Sequence, residues 1–181
     1  NFDTLMHKPV EERPENPVEI GDLRELRFEN VVFHHKTANY NAIDGISFSV
    51  KTGDTIAFVG PSGSGKSTLV KLLVGLYQPV SGAIYFNNEP STDIRYNQLR
   101  RQIGFVTQDT QLFAGTIRDN LAFVKPEATD EEISEALHKA SATGLLARSS
   151  HGIHTLLGES GMKLSGGEKQ RVCIARALVG G

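Results

Sequence analysis

Two short stretches of this chain have the residue types and spacing to hold phosphate. The first is Gly60-Pro61-Ser62-Gly63-Ser64-Gly65-Lys66-Ser67-Thr68, which fits the pattern G-x-x-x-x-G-K-[ST]. A triphosphate crowds several negative charges into a few ångströms. Successive backbone N–H groups wrap it only where side chains stay clear, which is what Gly60, Gly63 and Gly65 allow. The helix expected to follow aims its partial positive charge at the same anions. Lys66 adds a mobile cation for the β- and γ-phosphates, and the Ser67 hydroxyl is suited to ligate Mg²⁺, with Thr68 beside it. The second stretch is Leu164-Ser165-Gly166-Gly167-Glu168-Lys169-Gln170-Arg171. Ser165 and Glu168 have capping-box spacing, and the two glycines leave the first helical amides bare. Such a helix start is a second anion site or an ordinarily capped helix, and the local pattern allows both.

These residues need elements to position them. A phosphate loop requires a strand before it and a helix after it. Thr55 to Val59 is apolar at most positions, as in a strand covered on both faces. Leu69, Leu72, Leu73 and Leu76 fall on one helical face. Upstream, Leu26, Phe28 and Val31 to Phe33 predict a first strand. Ile46, Phe48 and Val50 alternate as a second. Downstream, Pro79 and Gly82 lead to a strand at Ala83 to Phe86, and Ile103 to Val106 reads as another, ending at Thr107-Gln108. Then the pattern turns helical. Thr129 and Glu132 form a capping box ahead of Ile133, Ala136, Leu137 and Ala140, and a last helix runs from Ser165 to about Val179. The order is α/β with a helical insertion.

Composition limits the function. The chain has 181 residues, 39% hydrophobic and 22% charged, with net charge −2, which suits a globular domain with a core. No basic stripe stands out, so nucleic acid is not an expected partner. No run approaches the ~20 apolar residues that span a bilayer. The first residues lack the basic, apolar, small-residue order of a signal peptide, so a membrane link is expected through a partner or another part of the polypeptide. Residues 1–22, with Pro9, Pro14 and Pro17 among many acids, read as an extended linker or arm, or a disordered end. The one cysteine, Cys173, between Val172 and Ile174, reads as a small core residue. His151 and His154 read as solvated loop residues rather than a metal pair.

The second stretch resembles the signature sequence of ATP-binding-cassette proteins, and it follows the phosphate loop in that family's usual order. The resemblance covers nearly the whole chain. It implies a P-loop NTPase core with an antiparallel β-subdomain and a helical subdomain carrying the signature, over residues 23–181. Residues 1–22 then resemble the linker from a transmembrane domain. Gln108 matches the glutamine loop, whose side chain reaches Mg²⁺ and the attacking water. Leu112 to Leu121 looks like the stretch after that glutamine in exporter-type members. Gly158-Glu159-Ser160-Gly161 resembles the exporter cross-link loop, with Ser160 where arginine is common. The family's adenine-stacking aromatic aligns with His35, and Tyr40 is the alternative from the same loop.

The resemblance implies ATP and Mg²⁺ as ligands. It also implies a second such domain, identical or different, meeting this one head to tail. Ser165, Gly166, Gly167 and Glu168 would face the ATP held by the partner's loop, with transmembrane domains placing the assembly at the cytoplasmic face of a membrane. The expected activity is transport-coupled ATP hydrolysis. The family's buried aspartate-glutamate strand and its later histidine follow the signature helix and lie beyond Gly181. The 181 residues alone are therefore expected to bind ATP, lack steady-state turnover and be poorly stable. The alternative function is an ATP-dependent dimerisation switch without hydrolysis. A DNA-maintenance ATPase fits less well, because the stretch from Gln108 to Leu164 is too short for a long coiled coil. A P-loop kinase would leave Leu164 to Arg171 unexplained. The transported substrate is not written in these residues.

Overall fold

The structure, a computed structural model, describes residues 14–107, 110–158 and 161–180. It divides between Arg100 and Arg101 into two units.

In the first unit, strand β1 (Glu25–Phe33) explains an irregularity in its own sequence. Leu26 and Phe28 are buried, then Val31 and Phe33, so the alternation slips by one residue. The slip is a bulge: Asn30 takes φ +46° and the pairing register shifts between Phe28 and Val31. The Asn30 N–H donates to Ser47 Oγ at 2.8 Å. Strand β2 (Ile43–Lys51) pairs antiparallel with β1, with Phe28 opposite Phe48 and their rings stacked at 4.6 Å. Strand β3 (Ser81–Phe86) lies antiparallel on the other side. A Cβ on Gly82 would stand 2.2 Å from the Asn30 carbonyl oxygen, and Gly82 has φ +78°, so only glycine passes the bulge there. Asn87 and Asn88, both at positive φ, turn the chain into strand β4 (Glu89–Pro90). The sheet order is β2-β1-β3-β4.

The Asn87 side chain fastens the chain ahead of β1. It accepts from the Arg24 and Glu25 amides at 2.7 and 3.0 Å and donates to the Ile20 and Asp22 carbonyls. Val18, inside the stretch read as an arm, bridges to Ile94 and donates its amide to Asp93. Helix α1 (Lys66–Leu73) buries Leu69 and Leu72. It stops where Gly75 takes φ +69° against the Tyr96 ring. Leu76, expected on the helical face, is therefore outside the helix and 55% exposed. Arg100, at the end of helix α2 (Tyr96–Arg100), donates to the Val74 and Gly75 carbonyls and so caps α1.

Two expected strands do not form. Thr55 to Val59 joins no sheet, and Ile56 and Val59 are 46% and 95% exposed. Ile103 to Val106 likewise pairs with nothing, leaving Phe105 and Val106 exposed. Apolar runs report a tendency toward burial. A strand also needs a neighbour for its amides and carbonyls, and among the described residues neither segment has one.

In the second unit two short strands, β5 (Gly115–Thr116) and β6 (Leu156–Leu157), pair antiparallel, and β5 leads into helix α3 (Ile117–Ala122). Helix α4 (Asp130–Lys139) and helix α5 (Thr143–Ala147) follow α3, then a 3₁₀ turn at Gly152–His154, and after β6 helix α6 (Gly166–Gly180). Thr129 and Glu132 form the expected capping box, and Thr116 with Asp119 forms another that starts α3. Ile117, Leu121, Ile133, Leu137, Val172 and Ala175 make the core, with α3 and α4 against α6. Cys173 is only partly buried, on the flank of α6, which corrects its reading as a core residue.

A polar side chain, Asn120, sits inside this core. Asn120 is fully buried and uses its whole amide. Its Nδ2 donates to the Phe113 and Thr116 carbonyls, both at 3.0 Å. Its Oδ1 accepts from the Phe113 amide at 3.1 Å and from Arg176 at 3.3 Å. Arg176 also donates to the Asn120 and Gln111 carbonyls and lies over the Phe113 ring. The segment 111–113 is thus pinned to α3 and α6 together.

Candidate functional site

The loop 60–65 is shaped by what it must avoid. Gly63 and Gly65 take φ +83° and +85°. A Cβ on Gly65 would lie 2.2 Å from the Ala42 carbonyl oxygen, so any other residue would collide with backbone. Gly65 is the N-cap of α1. It offers no side-chain cap, and the first turn of α1 carries no acid. The first amides of α1 are therefore left without a side-chain acceptor, beside the helix's positive end. Lys66 folds back over the loop. Its Nζ donates to the Gly60 and Pro61 carbonyls at 2.8 and 2.6 Å and to Ser64 Oγ at 3.2 Å. Ser62 and Ser67 are exposed, and Thr68 is half-buried.

His35 is exposed at the end of β1. It stands edge-on to Phe33 at 5.1 Å and to Tyr77 at 5.5 Å, while Phe33 and Tyr77 stack at 4.9 Å. Tyr40 is 73% exposed. Tyr77, just beyond α1, was not singled out by sequence. Nothing in its local pattern marks it, because its ring partners come from another element.

The start of α6 has the expected reciprocal cap. The Ser165 amide and hydroxyl both donate to Glu168 Oε2 at 2.8 Å, and the Glu168 amide points back to Ser165 Oγ at 3.4 Å. Glu168 Oε1 takes a charged hydrogen bond from Arg148 Nη2 at 2.6 Å. The Ser165 amide, then its hydroxyl, hold the Glu168 carboxyl below its ordinary pKa, aided by Arg148 and Arg171. The two glycines answer to nothing in the fold. A Cβ on Gly166 would meet no atom within 4 Å, and one on Gly167 would meet only the end of Arg171, at 3.5 Å. Neither has positive φ, so the helix would accept alanine at both. What the glycines supply is open space over the helix start.

The phosphate loop and His35 fall in the first unit, and Ser165 to Glu168 in the second. Gln108, Glu159 and Ser160 lie outside the described residues. His151 and His154 are exposed as expected, with His154 3.4 Å from Asp130. No group of three potential metal ligands occurs among the described residues, and no helix there is long and apolar enough to cross a membrane.

A glycine-cradled loop with its lysine, opening a helix whose first turn carries no acid, has the make-up of a nucleotide-type phosphate loop. The chain belongs to the ABC transporter family, whose model matches residues 43–181. It is 43% identical over 169 residues to the uncharacterized ABC transporter ATP-binding protein YfiB of Bacillus subtilis, covering 93% of this chain and 30% of that protein. It is 43% identical over 155 residues to the mitochondrial iron-sulfur clusters transporter ATM1 of Debaryomyces hansenii, covering 86% of this chain and 22% of that one. Among solved structures it matches a bacterial Atm1-family ABC exporter with ATP bound. The TM-score there is 0.87 at 38% identity, over 99% of this chain and 32% of that chain. The chain thus spans about a third or less of these relatives' length.

Proposed function

We propose that this chain is the ATP-binding domain of an exporter, and that ATP binding and hydrolysis at a head-to-tail pair of such domains drive transport across a membrane. The observation that carries this reading is the pair of anion-ready helix starts. At α1 the left-handed Gly65 leaves amides bare beside Lys66. At α6 two glycines hold open a space that nothing in the fold requires.

The chemistry follows from the groups present. The Lys66 ammonium rests on two neutral carbonyls, and an arriving phosphate exchanges them for charged oxygens, a stronger acceptor. The loop amides and the α1 dipole take the remaining charge. The Ser67 hydroxyl, exposed in the first turn, would hold Mg²⁺, which would neutralise charge on the β- and γ-phosphates. Gln108 would orient the attacking water. His35, from its edge-on cluster with Phe33 and Tyr77, or Tyr40 would stack on adenine. In the partner domain's site, Ser165, Gly166, Gly167 and Glu168 would close on the γ-phosphate, so that binding glues the pair and hydrolysis releases it.

The membrane-side contact would fall between Gln108 and Leu164. There Phe113 and Phe123 are 39% and 70% exposed with rings 5.1 Å apart. A cleft of about 460 Å³ lies between Phe113, Met162 and Leu164. Residues 23–181 would form the domain and 1–22 its link to a transmembrane domain at the cytoplasmic face. Replacing Lys66 by alanine tests the reading directly. Loss of a charge-assisted bond to phosphate should weaken MgATP binding about 10- to 100-fold by calorimetry. Unchanged affinity would remove the assigned role of Lys66.

A further inference from the structure

The cap of α6 contains a conflict. Glu168 closes the capping box, and in doing so sets a carboxylate against Ser165 Oγ. On the reading above, the amides behind that hydroxyl must receive a phosphate, and an uncompensated carboxylate would repel it. The structure holds the compensating charge. Arg148, at the end of α5 and twenty residues from Glu168, places Nη2 2.6 Å from Glu168 Oε1, the oxygen that Ser165 does not use. The carboxylate is divided: Oε2 orders Ser165 and Oε1 is neutralised by Arg148. The Glu168 side chain is 15% exposed and Arg148 52%, so the carboxylate is the more buried member of the pair. Arg171, one turn further along α6, adds a second positive charge near Gly167.

We propose that Arg148 is a positioning residue for the α6 anion site. It cancels the Glu168 charge while Glu168 holds Ser165, so the helix start is both capped and attractive to the γ-phosphate of ATP. The proposal rests on the assignment of Ser165 to the nucleotide site. Nothing in the sequence near Arg148 marks it, since its partner is reached only through the fold.

The test uses the full-length protein and steady-state ATPase activity across ATP concentrations, with thermal unfolding as a check on folding. Arg148→Ala should lower kcat/KM about fivefold, the upper range for an exposed ion pair. Arg148→Lys should retain most of it. Arg148→Glu, which sets a second negative charge beside Glu168, should lower kcat/KM further than Arg148→Ala. Wild-type behaviour of Arg148→Ala would overturn the proposal. So would an Arg148→Lys variant as impaired as Arg148→Ala, or an Arg148→Glu variant no worse than it, which would mark the bridge as structural only. Ser165→Ala separates the two levels. If it is silent, the assignment of α6 fails and this proposal with it. If it is impaired while Arg148→Ala is silent, only the role of Arg148 fails.

Discussion

Replacing Asn120 by alanine should loosen the segment that leads out of the Gln108 region. The Asn120 side chain satisfies the Phe113 amide, the Phe113 carbonyl and the Thr116 carbonyl, and takes one hydrogen bond from Arg176. It is fully buried. Alanine removes all four contacts and takes this partner from the Phe113 amide and carbonyl, while the Thr116 carbonyl keeps its place at the start of the helix. Each buried unpaired group costs about 1–3 kcal/mol, and a water entering the vacated space would recover part of the loss. A net cost of about 2–4 kcal/mol is the expected balance. Much of it should appear as local opening of 111–116, because the Phe113 bonds are the ones lost. Each 1.4 kcal/mol is tenfold in an opening equilibrium, so hydrogen exchange at the Phe113 amide should accelerate about 30-fold or more. Hydrogen–deuterium exchange resolved to peptides over 111–123 measures this, with peptides from α4 as the internal reference. Asn120→Asp should be harmful too. It keeps the acceptor toward Phe113 and Arg176 but turns an oxygen toward two carbonyls. Exchange within threefold of wild type in Asn120→Ala would refute the claim that this side chain pins the segment.

Gly65→Ala should abolish nucleotide binding, since its Cβ would meet the Ala42 carbonyl oxygen at 2.2 Å with φ +85°; MgATP affinity within twofold of wild type would contradict this. Gly166→Ala should leave the melting temperature unchanged while lowering ATP turnover, because that Cβ meets nothing in the fold; a fall in melting temperature would show that the glycine serves the helix. Thr129→Ala should cost about 1 kcal/mol by removing the α4 cap, read from denaturant unfolding. Acid should destabilise the second unit. Asp119, Asp130, Glu132, Glu135 and Glu168 all have native pKa values lowered from 3.8 or 4.5, chiefly by hydrogen bonds from Thr116, Arg118, Lys125, Lys139 and Ser165 respectively. Their contribution is present in full above those ordinary values and is lost as pH falls through the lowered ones. A melting temperature flat from pH 6 to pH 3, by thermal scans at stepped pH, would count against it.

How far the fold could be read from sequence depended on how local the physics was. The loop at 60–68 and both helix starts were legible because their chemistry lies within a few residues: a glycine where a side chain would collide, a hydroxyl three positions from a carboxylate. The strands at Glu25–Phe33, Ile43–Lys51 and Ser81–Phe86 were legible as apolar alternation. The slip between Phe28 and Val31 went unread in sequence, and the structure shows it as a bulge at Asn30. The segments 55–59 and 103–106 misled for the opposite reason. Their composition suits a buried strand, yet pairing depends on a neighbour that composition does not reveal. The short antiparallel pairing of β5 and β6 joins residues about forty positions apart, and no periodicity announces it.

The same distinction governs the site. Motif residues state what a helix start can bind, but whether it attracts an anion depends on charges brought there by the fold. Read alone, Ser165 and Glu168 describe a capped helix whose carboxylate would oppose phosphate. Arg148, at 2.6 Å from that carboxylate, would reverse the sign on the reading proposed above. Lys66 makes the complementary case. Its position in the motif says it will meet phosphate, while its bonds to the Gly60 and Pro61 carbonyls say what it gives up to do so. The net affinity is the difference between those two states, so a substitution that weakens the resting contacts alone, such as Ser64→Ala, should leave binding intact or tighten it.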